Sequence, residues 1–344
     1  MHRSTATLAV LLVSSFAHAN EAGETVVTAG ADAPVASQVA EVPSASAAPT
    51  GWVAPRHRVT WSSLSVLRYN ALGLQELFDV GYEYKLFDSS HVLLKDSFVG
   101  ISASPIMTPA FANPGVTLKV QPIALLRLEA RASVIQYYGN FNLIQSFASP
   151  ESATFSDSQI KEQGTRGDSK PSRAYATTGS NFGLTGELRW AGVRDDAGRP
   201  QVEARSRFNG TYHRMNLEPG DTVWYDQYFD LLVPKEGWTV SNDLDVFARF
   251  NLEGTAVLRA GLRYNYARAF LDGNTRDELN QGTQRVGPIV AYTLYDEPGK
   301  SVNKPTLIGI LNWHLVHPYR TGQDVTQALP YVVFAYSISG DLLQ

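Results

Sequence analysis

The 344-residue chain has no cysteine. That excludes disulfides, thiolate metal sites, a cysteine nucleophile and a lipid anchored on cysteine, so stability has to come from packing or from a closed hydrogen-bonded sheet. Long apolar runs are also missing. Beyond the N-terminus no stretch approaches the roughly 18 consecutive apolar residues of a membrane-spanning helix, and helical periodicity is scarce. Neither sign of charge dominates: 29 Lys and Arg against 33 Asp and Glu give a formal net charge of -4, and no basic run occurs. A nucleic-acid partner is not expected from that balance. The sequence holds no G-x-S-x-G elbow, no H-E-x-x-H and no P-loop, and no cofactor is implied.

The residues that carry chemistry elsewhere are scattered. In "NWHLVHPYR", His314 and His317 have opposite strand parity and cannot jointly hold a metal without a bulge. His213 falls on a polar face and could serve as a base, although a histidine near a strand end is more often a rim residue. Asp243 and Asp245 share a face about 7 Å apart, two strand rises, where pairing with arginine is the ordinary expectation and a bound cation the sharper one.

The N-terminus "MHRSTATLAVLLVSSFAHA" has a basic start, an apolar run from about Ala6 to Phe16 and the small-x-small pattern Ala17-His18-Ala19. It is expected to be a cleaved signal peptide over residues 1–19, the run being too short to span a bilayer. Residues 20–51 contain no aromatic residue and are built mainly from Ala, Pro, Ser, Gly, Val and acids. Such a segment cannot offset its ordering entropy, so 20–55 is expected to be a disordered tether. From residue 56 to 344 aromatic-rich segments alternate with Gly, Asn, Asp and Pro.

Those segments alternate over ten to sixteen residues, longer than the roughly five to six of an average soluble strand. In "TAVLRAGLRYNYARAF", Leu258, Ala260, Leu262, Tyr264 and Tyr266 share one face, while Arg259, Arg263 and Asn265 share the other. "ALLRLEARASV" opposes Leu126, Leu128, Ala130 and Val134 to Arg127, Glu129 and Arg131. "VEARSRFNGTYH" opposes Val202, Ala204, Phe208 and Tyr212 to Glu203, Arg205, Arg207 and Asn209. "TVSNDLDVFARF" sets Val240, Leu244, Val246 and Phe250 against Ser241, Asp243, Asp245 and Arg249. A soluble sandwich explains any one of these strands. It explains the ensemble less well, because Tyr and Trp gather near the ends of the apolar faces and charges of both signs recur together on the polar ones.

On these strands the chain resembles bacterial outer-membrane β-barrel proteins of the porin-like class. The closing "YVVFAYSISGDLLQ" is similar to the terminal strand of that class, with Val332, Phe334, Tyr336 and Ile338 outward, although the class usually ends on Phe or Trp and this chain ends on Leu343-Gln344. The resemblance implies an all-β fold, a transmembrane antiparallel up-and-down barrel in the outer membrane. It also implies contact with lipid and with the barrel-assembly machinery. Strands are expected near 57–69, 74–87, 92–103, 115–122, 123–138, 179–191, 200–214, 238–250, 255–270, 285–296, 304–317 and 329–342. That makes twelve, with ten to fourteen compatible, because Gln121-Pro122 is a weak break and "DTVWYDQYFDLL" could add a strand. The resemblance places the long connections 139–178 and 215–237 outside the cell. Within the first of them, Arg166-Gly167-Asp168 is a short match to an adhesive tripeptide that arises often by chance.

The lumen-lining residues expected from parity are Arg127, Glu129, Arg131, Arg205, Arg207, Asp243, Asp245, Arg249, Arg259 and Arg263. If the arginines line an aqueous path, the barrel is a narrow channel for small solutes with a slight anion preference. If they are neutralised by acids, it is a closed barrel presenting its loops. A barrel hydrolase is a third class, for which no triad is visible. Leu262→Arg is expected to destabilise and Arg263→Leu to leave folding nearly intact.

Overall fold

The computed structural model describes residues 54–70, 72–141, 143–153, 174–192, 200–226, 229–272, 282–316 and 328–343, with a few single positions between them. The segments read as signal peptide and most of the tether, together with Arg166-Gly167-Asp168 and His317, lie outside the described residues.

Twelve antiparallel strands form one closed barrel. They are β1 (His57–Tyr69), β2 (Gly73–Lys85), β3 (Phe98–Ala103, then Ile106–Met107) and β4 (Phe111–Asn113, then Gly115–Ile123). There follow β5 (Leu126–Tyr138), β6 (Ala176–Ala191), β7 (Gln201–Met215) and β8 (Glu236–Asn251). The last four are β9 (Val257–Ala269), β10 (Thr283–Thr293), β11 (Asn303–Val316) and β12 (Tyr331–Leu343). Each strand pairs with the next, and β12 returns to β1 in a register from Val59↔Leu343 to Tyr69↔Val332. The interruptions in β3 and β4 fall at Pro105 and Pro114, which have no N–H to give the ladder. The register nonetheless continues across them, from Val80↔Ala103 to Leu77↔Ile106.

Alternation decides which way each face points. Leu262 is 61% exposed on the outside while its neighbour Arg263 is 3% exposed within. Leu118, Val134, Leu188, Leu244, Leu307 and Phe334 continue the apolar exterior around the barrel. Aromatic residues ring both ends of that exterior. Tyr69, Tyr138, Trp238 and Phe270 stand at one end and Tyr82, Trp190, Phe250 and Tyr292 at the other. An apolar band between two aromatic girdles is the exterior a bilayer requires.

The two rims differ. One carries the connections 86–97, 124–125, 192–200, 252–256 and 294–302 together with the outer ends of β1 and β12. The other carries 70–72, 108–110, 139–175, 216–235, 270–282 and 317–330, and is the long-loop end.

Four expectations change here. The expected strand 92–103 starts only at Phe98, because Leu94 and Lys95 donate to the His91 carbonyl (2.9 and 3.0 Å) and hold a helical-type turn. The expected strand 115–122 starts earlier, at Phe111. Gln121-Pro122 does not end that strand, since a register shift between Val120 and Ile123 absorbs the proline and the chain turns at Ala124-Leu125. "DTVWYDQYFDLL" adds no barrel strand. Its segments Val223–Asp226 and Leu231–Pro234 pair with Gln145–Phe147 in a separate three-stranded sheet at the long-loop end.

Candidate functional site in the barrel lumen

Inward side chains of neighbouring strands meet across the ladder, so charges in register must pair or repel. On β7, β8 and β9 the pairing is dense. Arg205 reaches Asp245 at 2.5 Å and Arg263 reaches the same carboxylate at 2.7 Å. Arg249 and Arg259 share Glu203 at 3.2 and 2.7 Å. Asp243 accepts from Asn265 at 2.7 Å, and Asn265 in turn accepts from Arg285, whose guanidinium lies over the Tyr331 ring at 4.5 Å. These groups are almost completely buried. Asp243 and Asp245 therefore sit in an arginine and amide network, and among the described residues no cluster of three or more His, Cys, Asp or Glu is placed to hold a metal.

The β2–β7 side is more open. Arg127 contacts Glu129 at 2.8 Å, Arg207 bridges Glu129 and Glu187 at 3.3 and 3.0 Å, and Arg189 pairs with Glu187. Lys119 contacts Asp79 at 2.5 Å. Arg131 differs from the rest. Its guanidinium donates to Ser133 Oγ (2.7 Å), the Asn113 carbonyl (2.8 Å) and the Ser104 carbonyl (3.0 Å), so its hydrogen bonds among the described residues go to neutral groups, with Asp79 acting on it as a charge. Beside it lies a cavity of about 270 Å³. Six of its lining side chains are basic (Lys119, Arg127, Arg131, Arg189, Arg207, Lys304) and two are acidic (Asp79, Glu129).

The ten residues expected to line the lumen divide into two neighbourhoods. Arg205, Asp243, Asp245, Arg249, Arg259 and Arg263 belong to the buried network, whereas Arg127, Glu129, Arg131 and Arg207 border the cavity. Lys119 and Arg285 were not singled out from the sequence. Extending the parity of Thr117 along β4 and of Thr283 along β10 would have found both.

Above the cavity, the long-loop half of the wall turns apolar, with Val66, Phe111, Ile135, Tyr137, Ile310 and Val333 inward and buried. The three-stranded sheet rests on it and forms one continuous core through Ile144, Phe147, Leu232 and Val233. Trp224 is the hub. Its ring lies 6.3 Å from Tyr137 and 6.0 Å from His213. His213 itself bonds Asn181 Oδ1 at 3.1 Å and Thr239 Oγ1 at 2.8 Å, both neutral groups. Polar ties fix the cap to the rim: Ser146 meets Tyr175 at 2.8 Å and also Asp221, and Met215 N–H donates to the Lys235 carbonyl at 2.9 Å.

No protein-family model matches the sequence, and no curated protein matches it. Solved structures of similar shape include the NanC porin, at 8% identity over 82% of this chain and 100% of that one, with a TM-score of 0.35. The beta domain of the Bordetella autotransporter Brka is similar at 12% identity over 83% and 99% of the two chains, TM-score 0.38. LpxR from Salmonella typhimurium is similar at 10% identity over 82% and 99%, TM-score 0.34. These likenesses are distant, and no functional property of those proteins passes through them.

The geometry of the chain itself is specific. With an apolar outer face between aromatic girdles, a charged lumen and a seam that leaves no free sheet edge, the chain is a transmembrane antiparallel β-barrel of the bacterial outer-membrane type.

Proposed function

We propose that this barrel is a narrow channel for small solutes with a preference for anions, its route following the β2–β7 side of the lumen. The observation that carries the proposal is the cavity beside Arg131, where six basic side chains face two acidic ones. Part of that excess is compensated from behind, since Glu187 serves Arg189 and Arg207. Arg131 is hydrogen-bonded to neutral groups, and the acid that acts on it is Asp79, which also serves Lys119, so a cationic excess remains along the cavity. On this proposal the network of β7, β8 and β9 fills the opposite half of the lumen and keeps the wall rigid. The cap on the long-loop end sets the resistance.

A second reading, a closed barrel that presents its loops, draws support from the same network and from the apolar continuity between cap and wall. Reversal potential across a planar bilayer under a salt gradient separates the two. A channel gives an anion-selective potential that falls in Arg131→Ser, and larger currents when residues 218–234 are replaced by a short Gly-Ser linker. Absence of current from both the full chain and the capless variant rejects the channel.

A further inference from the structure

Between the first and last residues of the twelve strands, the outward positions described here hold four carboxylate or guanidinium side chains: Glu76, Arg214, Glu236 and Arg268. Three of them have polar partners on the barrel. Glu76 accepts from Ser63 and Ser65, each at 2.5 Å. Arg214 and Glu236 face each other at 4.0 Å on the rim, and Glu236 also accepts from Tyr212 at 2.7 Å.

Arg268 has none. It stands opposite Val240 on β8, one ladder step inside the girdle level where Phe270 N–H donates to the Trp238 carbonyl at 3.0 Å. Its guanidinium lies over the Phe270 ring, 5.6 Å from the centroid, and its Nε is buried without a hydrogen-bond acceptor. A guanidinium facing lipid is unfavourable at the midplane and tolerable near the interface, where a long side chain can reach the headgroups. Among the described residues none supplies an anion to this one. An aromatic ring holds the apolar stem and one face of the cation, leaving planar donors that match phosphate in a two-pronged geometry.

We propose that Arg268, seated on Phe270 with Trp238 on the neighbouring strand, binds the phosphate of an anionic lipid headgroup, one whose charge no choline offsets, in the leaflet on the long-loop side. The proposal is independent of whether the lumen conducts. It explains why a cation is placed in the girdle with an aromatic seat and no acid among the described residues, whereas Glu76, also half-buried, is satisfied by two hydroxyls.

Native mass spectrometry of the purified full chain, titrated separately with phosphatidic acid and phosphatidylcholine, tests it. Wild-type protein should retain one phosphatidic acid at about tenfold lower lipid concentration than Arg268→Gln does, the factor expected of one charge-assisted contact. Arg268→Lys should recover most of the difference, since the charge remains, and phosphatidylcholine should be retained poorly by all three. Equal retention of phosphatidic acid by wild type and Arg268→Gln would overturn the proposal. So would equal retention of the two lipids by wild type, a comparison that needs no variant. If millimolar inorganic phosphate, added without lipid, raises the melting temperature of wild type but not of Arg268→Gln, the ligand is a free anion and the lipid assignment fails.

Discussion

Arg263 grips both oxygens of Asp245, Nε to Oδ1 at 2.7 Å and a terminal nitrogen to Oδ2 at 2.9 Å, while Arg205 holds Oδ2 from the other side at 2.5 Å. One carboxylate thus compensates two buried guanidiniums. Asp245→Asn should strip both of the carboxylate they share, leaving Asp243 as the remaining acid beside them, and destabilise the barrel by about 3–5 kcal/mol, the range for breaking a buried ion pair from one side. Guanidinium unfolding of detergent-refolded protein would measure it. A loss below about 1 kcal/mol would mean that water reaches the network and screens it.

The same carboxylate revises the expectation for Arg263→Leu. Read from parity alone the change looks harmless, but the structure shows that it would strip Asp245 of one of its two partners. A loss of about 1–3 kcal/mol is expected, less than for Asp245→Asn because Arg205 remains. Leu262→Arg, one residue away and facing lipid, should cost about 2–4 kcal/mol near the midplane. Each is read from the temperature at which the compact band on unboiled gels is lost.

Trp224→Ala should loosen the cap without opening the barrel. The ring fills the space between Tyr137 and His213, and removing a large buried aromatic costs about 3–5 kcal/mol of local packing. The expected result is faster proteolysis within 216–235, an unchanged compact band, and higher conductance if the barrel is a channel. Loss of the compact band as well would show that the cap is required for closure.

Gly261 marks a place where β8 and β9 come closer than a side chain allows. A Cβ there would sit 1.9 Å from the Val246 carbonyl oxygen, and that atom belongs to the ladder and cannot swing aside. Gly261→Ala should therefore destabilise by roughly 1–3 kcal/mol through strand displacement. Gly309→Ala, with nothing within 4 Å, is the matched control and should be neutral. Denaturant midpoints of the two variants, compared directly, decide it.

Much of the barrel was legible because lipid and lumen impose opposite chemistry on alternate residues. Strand β9 follows this from Leu258 to Tyr266, where Arg259 and Arg263 are buried and Leu262 between them is exposed. Strand limits were less legible where proline intervenes. Pro122 looked like a stop, but on the outer side of a strand end a missing N–H removes little, and the chain continued to Ile123. The partners of each arginine were not legible, because register across strands depends on turn lengths. Glu203 meets Arg249 and Arg259 from a strand more than forty residues earlier in the chain. The cap was misjudged for a different reason. Trp224, Tyr225, Phe229, Leu231 and Leu232 are too apolar for an exposed connection, yet which surface they cover depends on the unusual run of inward apolar residues Ile135, Tyr137, Ile310 and Val333.

The pairing of Val59 with Leu343 and of Tyr69 with Val332 has a kinetic side. Every other ladder of the described barrel wall joins strands adjacent in sequence and can zip as a hairpin, whereas this one spans nearly the whole described chain and carries the full entropy of loop closure. Until β12 arrives, both edges of a half-built sheet expose unpaired backbone groups, the condition under which strands recruit foreign chains. Closure is thus the last event by topology. Relocating the chain ends, by joining the segments before β1 and after β12 and cutting at 86–97, would move that final step to the β2–β3 pair and preserve every other pairing in the wall.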